Sequence, residues 1–159
     1  MTNRSINRKY LVAAGTAACI LLSTAGCDQK PASNLPTVKM QIGKLNYTLE
    51  VAADDVSRTR GLMQRDSMPE LHGMIFVFPD EAPRAFWMKN TRIALDIIYV
   101  SAAGEVDSIA TMQPYVLRDT PSVGPAKYAI ELNAGQAAKA GVKVGDVLTI
   151  PEAARQTDR

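Results

Sequence analysis

From Thr37 onward apolar and polar residues alternate with a period of two, the pattern of strands with one wet face. "TVKMQI" places Val38, Met40 and Ile42 on one side, and "LNYTLEV" places Leu45, Tyr47, Leu49 and Val51 on one side. Gly43-Lys44 between them fits a two-residue hairpin turn with glycine first, so these two strands are predicted to pair. The alternation breaks at "DDVSRTRGLMQR", where Asp54 or Asp55 can cap a helix and Val56, Thr59, Leu62 and Met63 fall at helical spacing. Gly61 either costs about 1 kcal/mol inside that helix or ends it.

"GMIFVFP" then runs five apolar residues from Met74 to Phe78 between Gly73 and Pro79, too short for a helix and suited to a strand buried on both faces. Further strands are predicted at "RAFWMK", "LDIIYV", "EVDSIAT", "AKYAIEL" and "DVLTI". "QPYVLRDTPSVGPA", with three prolines and a glycine, reads as a long surface loop. "NAGQAAKAG" reads as a second short helix capped by Asn133 and stopped by Gly141. The expected fold is mainly β (α+β), a small, curled, barrel-like, mostly antiparallel sheet with two short helices over residues 37–151. A disordered tail is expected at 152–159.

The first 26 residues do not belong to this pattern. Arg4, Arg8 and Lys9 form a cationic start, and the apolar stretch Leu11 to Leu22 that follows is too short to span a bilayer but suits the core of a secretory signal. It ends in "STAGC", and small residues at Ala25 and Gly26 before Cys27 resemble the lipobox of bacterial lipoproteins, with Thr24 where leucine is usual. That resemblance implies cleavage before Cys27, lipidation of its thiol, and a membrane partner reached through the lipid. Asp28 resembles the signal that keeps enterobacterial lipoproteins at the periplasmic face of the inner membrane. The alternative is a cut after Ala25 and a soluble periplasmic protein. Residues 27–36, with Pro31 and Pro36 and no apolar period, read as a linker whose nine residues after the cysteine reach about 30 Å.

Composition narrows the function classes. The 159 residues are 47% hydrophobic and 21% charged, enough for one ordinary domain. Removing the three signal charges from the net +2 leaves −1, with no basic stripe, so nucleic acid is not an expected partner. With Cys19 in the signal, a single cysteine remains in the mature chain and no internal disulfide can form.

The richest chemistry lies in "FWMKNTRIALDIIYV". On a strand, Trp87, Lys89 and Thr91 would share one side and Phe86, Met88 and Asn90 the other, projecting an indole beside an ammonium. Asp96 could pair with Lys89 or with one of Arg58, Arg60 and Arg65. These groups either satisfy one another and fix the register of the sheet, or line a polar pocket with an aromatic wall. No G-x-S-x-G, H-E-x-x-H or phosphate-cradling glycine loop is present. Methionines 63, 68, 74, 88 and 112 with His72 keep a copper site in view, although methionine is also the common filler of irregular cores.

"RGLMQR" at Arg60 to Arg65, "GMIFVF" at Gly73 to Phe78 and "FWMKNT" at Phe86 to Thr91 resemble the motifs of the DUF192 family, small bacterial and archaeal proteins without an established activity. The resemblance runs from Val38 to Ile150 and departs at Met68, where leucine is commoner. It implies a compact β-rich fold and points to Arg60, Met63, Arg65, Trp87, Lys89, Asn90 and Asp96 as defining positions, without naming a catalytic one. The combined expectation is an envelope lipoprotein with no cofactor, acting as a binding or accessory module for a small polar or anionic ligand or a partner protein. The alternatives are a hydrolase-like or other enzyme using Lys89 and Asp96, and a periplasmic copper protein using methionine and histidine ligands.

Overall fold

Strands β1 (Thr37–Ile42) and β2 (Leu45–Ala52) form the antiparallel hairpin that the alternation predicts, with Ile42 opposite Leu45 across Gly43-Lys44. Two constraints make glycine necessary at the turn. Gly43 has φ +54°, and a Cβ there would lie 2.2 Å from the carbonyl oxygen of Ala140. The same carbonyl accepts a 2.9 Å hydrogen bond from the Lys44 N–H, so the hairpin tip is fastened to a distant helix end. These observations belong to a computed structural model that describes Met1 and residues 34–155.

Helix α1 (Asp55–Arg60) starts at an Asp54 cap, whose side chain accepts from the Ser57 N–H while Ser57 Oγ accepts from the Asp54 N–H. It ends at Gly61, one turn earlier than the spacing of Val56 to Met63 suggests. Val56 is therefore left 79% exposed, and Leu62 alone of the four reaches the core. The chain then enters β3 (His72–Ala82), which lies parallel to β2. After β4 (Ala85–Phe86) come β5 (Leu95–Val100), β6 (Val106–Met112), β7 (Thr120–Pro121) and β8 (Ala126–Asn133). The main sheet has the order β1-β2-β3-β8-β5-β6, antiparallel at every pairing except β2–β3, while β4 and β7 form a separate pair.

The domain is mainly β with two short helices and a mostly antiparallel sheet, as expected; the sheet, expected to be curled and barrel-like, stays open. A barrel has one interior, whereas β3, β8 and β5 are buried on both faces and need two covering layers. On one face Tyr47, Leu49, Ile75, Ile98 and Ile130 pack with Ala137 and Ala140 of α2 (Gln136–Ala140) and with Leu148 and Ile150 beyond it. On the other, Met74, Phe76, Ile97, Tyr99 and Ala129 pack beneath Leu62, Met88 and Met112. Each large apolar side chain so enclosed contributes about 1.5–3 kcal/mol of transfer free energy, so both layers are structural.

Three other expectations change. "DVLTI" makes a single bridge, Glu105 with Val147, rather than a strand. Asn133 stays in β8 and donates to the carbonyls of Met68 and Pro69, while α2 begins at Gly135 without a local side-chain cap. Residues 152–154, expected within a disordered tail, form a 3-10 turn that buries Ala154. The expected signal segment apart from Met1, Cys27, the expected linker up to residue 33 and residues 156–159 lie outside the described residues. No helix among the described residues is long and apolar enough to cross a membrane.

The two helix-linked glycines make a test of the turn geometry. Gly141 also has positive φ, +76°, but its Cβ would meet nothing within 4 Å. Gly141→Ala should therefore cost only the left-handed strain of about 1–2 kcal/mol. Gly43→Ala adds the collision with the Ala140 carbonyl and should lower the denaturation midpoint further; equal losses in urea unfolding would show that the hairpin tip yields freely.

Candidate functional site

Strand register brings two glutamates to the middle of one buried face. Glu50 of β2 pairs with Met74 of β3, and Met74 pairs in turn with Glu131 of β8, so the two carboxyl groups flank one methionine. Both residues are at most 5% exposed, and a buried carboxylate without compensation is strongly unfavourable. Arg65, carried in from the loop after α1, meets Glu50 in a bidentate pair at 2.5 and 2.7 Å, with both side chains at most 10% exposed. Removing one partner from such a pair typically costs about 3–5 kcal/mol, because the other charge stays buried.

Glu131 has a different solution. Its side chain is hydrogen-bonded to nothing among the described residues, and burial pushes its carboxyl up to about 8, partly offset by the Arg65 guanidinium. At neutral pH it is mostly a neutral acid, able to donate a hydrogen bond. It forms part of the wall of a 340 Å³ cavity together with Arg60, Phe76, Phe86, Trp87 and Thr91. A second hollow of 640 Å³, lined by Asn34, Asp54 and Arg65 among others, shares Arg60, Gly61 and Met63 with the first.

The apolar wall is a set of aromatic rings centred on Phe86. Its ring meets Phe76 edge-on at 4.8 Å, Tyr99 at 5.9 Å and Phe78 at 6.4 Å. Phe78 lies under the guanidinium of Arg84 at 4.1 Å, and Tyr99 donates its hydroxyl to the Thr120 carbonyl, tying β5 to the β4–β7 pair. Arg58 is spent on structure: it donates to the carbonyls of Ala53 and Val77 and to Asp55. Arg60, two residues further on, is exposed and makes no side-chain hydrogen bond or ion pair among the described residues.

The segment after Phe86 is not the strand that its alternation suggests. Strand β4 stops at Phe86, and Asn90 adopts a left-handed conformation at φ +55°. Gln64 and Tyr115, at φ +62° and +61°, are the other non-glycine residues in that region among the described residues, and both attach to this segment. The Gln64 N–H donates to the Asn90 carbonyl at 2.8 Å and the Tyr115 N–H to that of Thr91 at 3.2 Å. Such strain, about 1–3 kcal/mol per residue, persists only where the surroundings over-determine the backbone. The Met88 N–H donates to Val116, and Met88 is buried beneath. Trp87 is held outward, 47% exposed, with the Lys89 ammonium 5.0 Å from its ring centroid.

Of the residues singled out from sequence, Arg60, Met63 and Trp87 line the smaller cavity, and Arg65 sits behind it on Glu50. Lys89 covers the indole, and Asn90 contributes its backbone carbonyl. Asp96 does not join them. It lies on the opposite face, 2% exposed, accepting from Thr111 Oγ at 2.7 Å and from the Ala137 N–H at 2.9 Å, and so caps α2 from outside. Its pairing with Lys89 or an arginine is thereby replaced. Glu50 and Glu131 were not among the expected site residues; their signal was a lone acid inside the apolar runs "TLEVA" and "YAIEL". Met74, Met88 and Met112 are core residues of the same face, and no group of three His, Cys, Asp or Glu suited to a metal ion occurs among the described residues.

Comparison with known proteins gives a family and two related folds. The family model DUF192, described as an uncharacterised ACR, matches residues 38–150. A crystal structure of a protein of unknown function from Novosphingobium aromaticivorans DSM 12444 is 33% identical over 76% of this chain and 90% of its own, with a TM-score of 0.69. Another, from Sinorhizobium meliloti 1021 and proposed to be a transcription regulator, is 34% identical over 71% of this chain and 91% of its own, with a TM-score of 0.66. No curated protein matches the chain.

The state of Glu131 sets a pH dependence of stability. Between its ordinary value of 4.5 and its folded value of about 8, the folded protein holds a proton that the unfolded chain has released. This contribution is complete below about 4.5 and is lost as pH rises through about 8. Denaturant unfolding at pH 5, 7 and 9 should show Glu131→Gln gaining on the wild type as pH increases; parallel profiles would mean that Glu131 ionises as an ordinary glutamate.

Proposed function

The chain belongs to the DUF192 family, and from its site we propose that it is a binding or accessory module of the cell envelope, anchored through a lipidated Cys27 and taking a small polar or anionic ligand. The observation that carries this reading is a cavity whose wall holds Glu131 and Arg60, neither with a side-chain hydrogen bond among the described residues, together with the outward Trp87. A domain built only to be stable would pair such groups with its own, as it does for Glu50 and Asp96. The envelope part is supported by the cationic start, the short apolar core and the small residues before Cys27.

A catalytic reading would draw on the same carboxyl, since a displaced proton affinity in a cavity is a common mark of acid–base chemistry. Asp55, the other acid of that cavity, is bound to Arg58 and solvent-exposed, and Asp96 is on the far face. Glu50, across Met74 from Glu131, is held by Arg65, so among the described residues no second acid is free to work against Glu131, which favours binding.

A thermal-shift panel of small organic acids, amines, alcohols and sugars provides the test. At least one compound should stabilise the wild type, and the shift should vanish in Arg60→Ala and in Trp87→Ala, each measured against its own unligated midpoint. No shift from any compound, or shifts that survive both substitutions, would remove the cavity from the function. Mass spectrometry of the mature protein should find Cys27 at its N-terminus carrying acyl chains; an unmodified residue 26 or 28 at that end would make the anchor untenable.

A further inference from the structure

The balance of hydrogen-bonding groups around the smaller cavity points to one ligand class, on the premise that the cavity binds a ligand at all. Arg60 offers guanidinium N–H donors with no partner among the described residues. Glu131 is 4% exposed, makes no side-chain hydrogen bond among the described residues, feels the Arg65 charge, and lines the same space. Of the charged groups packed around it, Arg65 is committed to Glu50, and Arg58 to two backbone carbonyls and Asp55. Among the described residues, what remains in the cavity lining is one charge without an ion-pair partner, on Arg60, and the Glu131 carboxyl, in a wall that also contains Phe76, Phe86 and Trp87. The 340 Å³ volume is at the small end for ligand sites.

We infer that this cavity takes a small organic carboxylate, its charged head held by the Arg60 guanidinium and the Glu131 carboxyl and its apolar body laid against Phe76, Phe86 and Trp87. The carboxylate supplies the single negative charge that Arg60 lacks and accepts the hydrogen bond that protonated Glu131 can donate. An ammonium head would face the unpaired guanidinium and would need Glu131 ionised in a site where burial opposes it. A phosphate dianion would bring a second charge for which no further cation of the cavity is unpaired.

Trp87 is the single tryptophan of the chain and lines the cavity, so its emission reports occupancy directly. The full chain is titrated with benzoate and phenylacetate, and in parallel with benzylamine, benzyl alcohol and inorganic phosphate. The two carboxylates should give saturable changes at neutral pH, and Arg60→Ala should weaken them about tenfold or more, the scale of a lost charged hydrogen bond. Raising the pH past about 8 should weaken carboxylate binding in the wild type, whereas Glu131→Gln, which keeps a donor, should bind at neutral pH and lose that dependence. If benzylamine, benzyl alcohol or phosphate binds as tightly as the carboxylates, or if carboxylate binding survives Arg60→Ala unchanged, the carboxylate assignment falls while the binding reading stands. If none of the five probes changes the emission, both fall.

Discussion

Burial of the central sheet on both faces is the constraint from which the rest of this structure follows. Once β3, β8 and β5 are covered above and below, any ionisable group on them must be compensated by the protein and not by water. Three carboxyl groups lie in those layers, and each is handled differently. Glu50 has a bidentate guanidinium, Asp96 has a threonine hydroxyl and the Ala137 amide of α2, and Glu131 keeps its proton. The first two solutions are complete and knit the layers together. The third is incomplete, and it is the one that borders a cavity.

The same constraint explains the geometry around Trp87. Covering the second face takes the loop after α1, the segment 87–94 and the loop after β6, all short of regular structure and all needing partners for their amides. They find them in one another, through the carbonyls of Met88, Asn90, Thr91 and Val116. Three left-handed non-glycine residues are the conformational cost of that closure. The outcome is a hydrogen-bonded frame that holds an indole at the surface beside an ammonium, on the wall of the cavity that Phe86 also lines.

Local patterns made much of the fold readable. The β1–β2 hairpin, the Asp54 cap, the doubly buried β3 and the glycine stop of α2 each follow from neighbours in sequence, so periodicity and turn chemistry suffice. Features set by distant partners were not readable. "FWMKNT" alternates like a strand, yet its amides bond to loops rather than to a ladder. Asp96 bonds an amide 41 residues away, which no spacing rule can anticipate. A single glutamate in "LNYTLEV" or "AKYAIEL" reads as the wet side of a half-buried strand. Only the second covering layer turns Glu50 and Glu131 into buried acids. Of the site, then, motif similarity located Arg60, Met63, Arg65 and Trp87, while the acids that give it its electrostatic character came from tertiary packing.

Strand β8 sits between β3 and β5 although it follows both in the chain. Until residue 133 is available, the sheet exists as two unjoined halves, β1-β2-β3 and β5-β6, each with an apolar edge awaiting a mate. Assembly is therefore a late, long-range event, and a polypeptide emerging from a ribosome has no means of locking prematurely. The last strand to arrive is the keystone, and it is the strand that carries Glu131.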